Sequence, residues 1–253
     1  MKNTITLLIL LFSVTSLLFA QNQSNFFLQS RVGISGDAKN LTPTYESFDT
    51  NYELARGRSW AAGIGYEFYP KARKNWGLKS SLLYENAKFN RIENYHYSTF
   101  SGDQRGGKIT RTHTNQTLQN PLQIFIKGKS LGVSAGIITV FHLHSKFDQE
   151  HQFFLNGMDE GKSNRTYKTG TYNEFFFGDW ERIDMERPLS WQWVVGFSFD
   201  FTSRWTIDLE YKNYFGNNQL EQEISNYDVA SNFIERFDVL SQNLSLGLTW
   251  RFK

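Results

Sequence analysis

From Leu189 to Tyr211 the chain alternates with a period of two. Leu189, Trp191, Trp193, Val195, Phe197, Phe199 and Phe201 fall on one face, against Gln192, Val194, Gly196, Ser198 and Asp200 on the other. After Thr202-Ser203-Arg204 the pattern resumes, with Trp205, Ile207, Leu209 and Tyr211 against Thr206, Asp208, Glu210 and Lys212. Successive side chains point to opposite faces only in a β-strand, so this stretch predicts a hairpin. One of its faces is large and aromatic, the other small or charged.

The same alternation recurs along the chain. It predicts strands over 25–36, 58–69, 76–89, 116–127, 131–147, 189–201, 205–214 and 239–253, eight in all. Connections near Pro70, Gly128 and Thr202 are short. The polar segments 37–57, 91–114, 148–188 and 216–235 read as long loops. Short turns on one side and long loops on the other are the asymmetry of a membrane barrel, and an even strand number lets the last strand pair with the first. The expected fold is all-β: an eight-stranded antiparallel transmembrane β-barrel with short periplasmic turns and long extracellular loops.

Alternation alone does not say which face is inside. The polar face carries Gly63, Gly65, Gly132, Ser134, Gly136, Gly196 and Gly247, small residues suited to a narrow eight-stranded lumen. Trp60, Trp76, Trp191, Trp205 and Trp250 lie near strand ends on the apolar face, as an interfacial aromatic girdle would. The apolar face is therefore assigned to lipid.

Residues 1–20 have the layout of a secretory signal peptide: a basic start at Lys2, an apolar run from Ile5 to Leu18, and Ala20 at the expected cleavage point. The mature barrel domain is then 21–253, exported to the outer membrane of a bacterial cell. There are no cysteines, which removes disulfides and thiolate metal sites. A formal net charge of +2, with acidic and basic residues interspersed, gives no support for a nucleic-acid partner.

Nine charges fall on the small-residue face: Arg31, Glu67, Lys79, Glu85, Asp200, Asp208, Glu210, Lys212 and Arg251. They could line an ion path; internal pairing that plugs the lumen is the preferred reading, because unpaired charges in a confined interior are expensive. His142 and His144, two apart on a strand, would share a face, with Asp148, Glu150 and His151 nearby. That spacing suits a divalent metal, but polar lining is preferred because no further ligand is placed by spacing. Ser145 follows His144 directly and so points the other way, which counts against a His–Ser hydrolase pair. No catalytic residue and no cofactor or metal site is predicted. In the longest loop Tyr172, Phe175, Phe176, Phe177 and Trp180 form an apolar cluster, a candidate contact surface or a cover over the barrel mouth.

The stretch Leu118-Gln119-Asn120-Pro121-Leu122-Gln123-Ile124-Phe125-Ile126-Lys127 resembles the Leu-x-x-Pro-Leu strand of the PorT-like outer-membrane barrel family of Bacteroidetes. Gly132 to Gly136 and Glu210-Tyr211 resemble that family as well. Pro121 cannot donate to a ladder, so a bulge is expected there. Trp250-Arg251-Phe252-Lys253 resembles the terminal signal read by barrel-assembly machinery, which implies that machinery as a partner in biogenesis. Relatives of PorT act in protein secretion, and the resemblance implies a link to that process. The expected role is structural or adaptor-like and non-enzymatic, with outer-membrane lipid and a protein at the loops or periplasmic face as partners. The alternatives are a narrow pore for small solutes and a lipid-modifying enzyme.

Overall fold

The computed structural model describes residues 23–36, 49–54, 57–70, 75–98, 101–168, 172–174, 180–185, 189–215, 219–225, 232–238 and 242–252. The expected signal segment and Phe175, Phe176 and Phe177 lie outside the described residues.

The barrel is made of β1 (Gln23–Gly36), β3 (Gly57–Tyr69), β4 (Trp76–Ser98), β5 (Gln104–Lys127), β6 (Leu131–Leu155), β10 (Leu189–Asp200), β11 (Trp205–Tyr214) and β14 (Gln242–Arg251). Each pairs antiparallel with the next, and β14 returns to β1 with Phe27 opposite Arg251 and Gly36 opposite Gln242. The ring is closed, so no barrel edge is left to pair with another chain.

Two of the turns at one end are tight. Gly128 to Ser130 joins β5 to β6. Phe201 to Arg204 joins β10 to β11, where the Thr202 hydroxyl accepts from the backbone N–H groups of Arg204 and Trp205 at 3.2 and 3.0 Å. The chain enters β1 and leaves β14 at this same end.

At the opposite end the structure departs from the sequence reading. Within the segment 91–114, expected as a loop, residues 91–98 and 104–114 are strand. β4 and β5 stay in one register from Trp76 opposite Ile126 to Ser98 opposite Gln104. Beyond Lys88, where β3 ends its pairing with β4, β2 (Asp49–Leu54) takes over that edge. On the far side β6 runs past its last contact with β10, at Phe141, and folds back into β7 (Met158–Lys168). A sheet ordered β2-β4-β5-β6-β7 thus continues out of the barrel wall. From Phe89 to Ser98 it projects about 30 Å along the strand.

Two hairpin tips of that sheet are tied together. Asn156 and Gly157 have φ of 50° and 81°, as a two-residue hairpin turn with positive φ at both positions requires. The Asn156 side chain accepts from the Gln104 N–H at 2.8 Å and donates to Asp103 at 3.2 Å. The rest of the expected 148–188 and 216–235 loops contributes a separate four-stranded sheet of β8 (Tyr172–Glu174), β9 (Trp180–Met185), β12 (Gln219–Ser225) and β13 (Asn232–Asp238), ordered β13-β12-β9-β8.

There is no bulge at Pro121. The ladder to β4 keeps its register across the proline, from Leu83 opposite Gln119 to Ser80 opposite Leu122. The Ser81 carbonyl instead accepts from the Asn120 side-chain amide at 2.8 Å, which stands in for the N–H that proline lacks. Asn120→Leu should therefore destabilise the barrel by roughly 1–3 kcal/mol in a urea titration, the cost of an unsatisfied carbonyl in an apolar wall. An unchanged midpoint would show that the carbonyl has another donor. The bulge lies further along, where Gln116 opposes His144 and Thr117 opposes His142, leaving Leu143 as the extra residue on β6.

Candidate functional site

The inward side of β11 places Thr206, Asp208, Glu210 and Lys212 in succession along the lumen, and each anchors a polar knot. At the turn end Arg251 reaches both Glu67 oxygens, at 2.8 and 3.0 Å, then Asp200 at 3.2 Å and the Thr206 hydroxyl at 2.6 Å. Tyr69 donates to Glu67 at 3.0 Å, and Lys127 pairs with Asp200. Next, Asp208 accepts from Thr249 at 2.6 Å and from Lys79 and Gln29 at 3.4 Å. Further in, Arg31 grips Glu210 through two nitrogens at 2.5 and 2.9 Å, with Gln123 donating to the same carboxylate at 3.3 Å. Last, Lys212 donates to Glu85 at 2.6 Å and to Gln119 at 3.1 Å, and Gln119 donates to Glu85.

All nine lumen charges expected from the sequence are brought together in these knots. Sequence reading missed Lys127, whose partner Asp200 it had named, and the amides of Gln29, Gln119 and Gln123. The cations Arg31, Lys79, Lys127, Lys212 and Arg251 face the carboxylates Glu67, Glu85, Asp200, Asp208 and Glu210, so the set is neutral. Paired charges of this kind add little net stability over an apolar filling, but breaking one pair strands a charge in a low-dielectric interior.

Apolar side chains also enter the lumen between the knots. Phe27 and Leu83 are 0% exposed, and the Lys79 ammonium sits 5.2 Å from the Phe27 ring centre. Glycines make room for these rings. A Cβ on Gly65 would come within 2.3 Å of Phe27, and one on Gly77 within 2.6 Å of Phe125.

The bulge at Leu143 corrects the histidine pair. His142 turns into the lumen, where its Nε2 lies 3.0 Å from the Ser190 hydroxyl and its ring stacks with Tyr214 at 6.4 Å. His144 stands on the other face, opposite Gln116. The other candidate ligands are engaged elsewhere. Asp148 pairs with Lys146 and Thr166, Glu150 pairs with Lys162, and His151 packs on Phe153 at 3.9 Å. Among the described residues no three His, Asp or Glu side chains gather as a metal would need. Ser145 points away from His144 as expected, and the bulge puts it on the lumen side, where it donates to Asn115. His142 and Ser190 form a nucleophile–base contact that sequence reading did not find, but Ser190 is buried and faces the lumen rather than lipid.

Of the candidate loop residues, Tyr172 lies in β8 opposite Arg182, and Trp180 lies in β9 opposite Glu174. They belong to one small hairpin.

The exterior inverts the usual rule for folded chains. Charges are buried and large hydrophobic side chains are exposed all around the ring: Phe26, Val32, Ile64, Ile124, Val133, Phe197, Leu209 and Leu246 among them. Rings border this band at both ends. Trp205 and Trp250 lie 6.3 Å apart near the turns, with Phe252 4.5 Å from Trp250. Trp60 and Tyr84 lie 5.6 Å apart toward the other end. Along β10 the apolar face from Leu189 to Phe199 covers about 33 Å of strand, or about 25 Å of height at a tilt of about 40°, which suits a bilayer's hydrocarbon layer. The chain is a transmembrane β-barrel.

No protein-family model matches the chain, and no curated protein matches it in sequence. Among solved structures it is similar to the outer membrane protein OprG from Pseudomonas aeruginosa, at 10% identity over 91% of this chain and 97% of that one, with a TM-score of 0.41. Neisserial surface protein A is similar at 12% identity over 91% and 99% of the two chains, with a TM-score of 0.35. Ail of Yersinia pestis is similar at 11% identity over 90% and 97%, with a TM-score of 0.30.

Proposed function

We propose that this barrel is a non-enzymatic anchor in a bacterial outer membrane, holding an extended β-sheet outside the cell for contact with another protein or surface component. The observation that carries this reading is the continuation of β4, β5 and β6 beyond the apolar band, as a sheet with edges at β2 and β7. Closed barrels with short turns at one end are the outer-membrane solution to spanning lipid, with those turns on the periplasmic side. The overrunning strands then stand outside, where a rigid polar sheet is a platform for docking. The second sheet, whose strands include Tyr172 and Trp180, is built from the chain before β10 and after β11, the connections that leave this end of the barrel. The likeness of Leu118–Lys127 to PorT-like strands favours a protein-secretion or surface complex as the setting.

The competing reading is a narrow pore. It is disfavoured because the five cations and five carboxylates of the lumen are paired with one another, with buried rings and aliphatic side chains such as Phe27 and Leu83 among them. In planar bilayers the wild-type protein should give no unitary conductance steps, whereas Arg31→Ala combined with Glu210→Ala, which empties the central knot without stranding a charge, should introduce small ones. Steps from the wild type would transfer the assignment to a channel. Purification from the native membrane in mild detergent tests the adaptor role: a stoichiometric companion protein is expected, and its absence in every detergent tried would remove that role.

A further inference from the structure

The register of the barrel wall aligns three cations in one transverse row. Arg58 on β3 lies opposite Lys88 on β4, Lys88 opposite Thr114 on β5, and Thr114 opposite Lys146 on β6. Residues opposite one another share a face, and here that face is the outside: Arg58 and Lys88 are exposed, beside the inward Ser59, Ala87 and Ser145. At about 4.8 Å per strand the row spans roughly 14 Å. The row beneath it, toward the membrane, holds Trp60, Asn86, Gln116 and His144, with the Trp60–Tyr84 ring contact at its edge. The row above holds Asn90, Thr112 and Asp148. The cations therefore sit at the boundary where the apolar band ends, flanked by side-chain amides and hydroxyls that can donate hydrogen bonds.

Like charges directly opposite each other destabilise a strand pair. Neither Arg58 nor Lys88 has an ion-pair partner among the described residues. Lys146 is neutralised by Asp148 at 2.9 Å. Partial burial opposes ionisation of that carboxyl, but hydrogen bonds from Thr166 and Lys146 and the nearby charge of Lys88 hold it below the usual carboxylate range. One carboxylate among three cations leaves two positive charges uncompensated. Elsewhere around the rim, the outward residues at the ends of β1, β10, β11 and β14 are Ile34, Leu189, Asn213 and Leu244, all uncharged. Among the described residues, the outward positive charge at this level of the wall thus lies in the β3–β6 sector.

We propose that this row docks a phosphorylated lipid headgroup of the outer leaflet. The inference rests on the reading that the overrunning strand ends lie outside the cell. Depth selects the occupant. A cation just above an interfacial aromatic girdle meets headgroup phosphates, whose oxygens accept both the charge and the flanking amide and hydroxyl donors. Each such cation near an anionic membrane surface strengthens binding about fivefold, so Arg58 and Lys88 together are worth about 25-fold.

The test uses the full-length mature protein, reconstituted in phosphatidylcholine vesicles alone, with diphosphoryl lipid A, or with dephosphorylated lipid A. Two readouts are taken: lipid retained through detergent extraction, and the temperature at which the folded band on a gel is lost. Wild-type protein should retain the diphosphoryl lipid at least tenfold better than the dephosphorylated one. Arg58→Gln combined with Lys88→Gln should abolish that preference, while Lys108→Gln, an exposed cation higher on the same face, should not. The stability effect should change sign. In phosphatidylcholine alone the double variant should match or exceed wild type, because a like-charge pair is gone; with diphosphoryl lipid A it should fall below wild type. Equal retention by wild type and double variant would overturn the proposal. So would inorganic phosphate stabilising the wild type in neutral vesicles as well as the lipid does, since the row would then be an anion site without lipid preference. Absence of any folded, heat-shifted band from the wild type in every vesicle would overturn the membrane reading itself, and the lipid site with it.

Discussion

Glu210→Ala is expected to lower the unfolding free energy of the barrel by about 3–5 kcal/mol, read from the urea midpoint in vesicles. Among the described residues Glu210 is the one carboxylate that Arg31 touches, both side chains are 3% exposed, and the remaining neighbours of Arg31 include Gln29, which solvates a guanidinium poorly. Truncation would leave a full positive charge in a wall-enclosed interior. The companion variant Arg31→Met with Glu210→Leu separates the loss of a pair from the loss of packing, because two apolar replacements leave no orphan charge and should recover most of the stability. A Glu210→Ala loss below about 1 kcal/mol would mean that water reaches Arg31 and that the lumen is wetter than its contacts imply.

Gly136→Val should prevent the barrel from forming. A Cβ at Gly136 would lie 2.1 Å from the Leu122 carbonyl oxygen and 2.7 Å from the Gln123 Cα, both backbone atoms of the neighbouring strand. Overpacking against side chains costs roughly 1–3 kcal/mol because they can swing away; a strand held in a closed ring cannot, so a larger loss is expected. Gly63 makes the same kind of approach to the Leu82 carbonyl, at 1.9 Å. Gly128→Ala is the control: its nearest neighbour would be 3.5 Å away, and its effect should stay within about 0.5 kcal/mol. Failure of Gly136→Val to reduce the heat-shifted band would show that β5 and β6 can separate there at little cost.

The membrane-embedded part of this fold is legible in the sequence, and the reason is physical. Lipid demands an apolar residue at every second position, and a narrow lumen demands small or paired polar ones between, so the alternation at 189–212 announces both faces at once. Parity alone placed Arg31, Glu67 and Asp208 inside. Outside the bilayer that demand disappears. Residues 91–98 and 104–114 are strand, yet Thr110, Thr112 and Thr114 on one face and Arg111 and His113 on the other leave no apolar rhythm to read. One signal was there to be used: Asn156-Gly157 after Phe153-Phe154-Leu155 is a strong hairpin turn, buried within what read as a single long insertion. The bulge at Leu143 has no such signature. Its one extra residue separates His142 from His144 and sets Ser145 on the lumen side, so the histidine geometry was decided by a feature that residue types do not reveal.

The span of the lumen contacts bears on the order in which the chain assembles. Arg31 and Glu210 are 179 positions apart, and Glu67 and Arg251 are 184 apart. Neighbouring hairpins such as β4–β5 can zip from a nearby turn, but ion pairs of that span must wait until β14 meets β1. Until then their charges stand in an open, wetted sheet. Shutting the ring desolvates and pairs them in a single event, so closure is sealed from within by contacts that no partly built barrel possesses, and the reverse path must break several of them together.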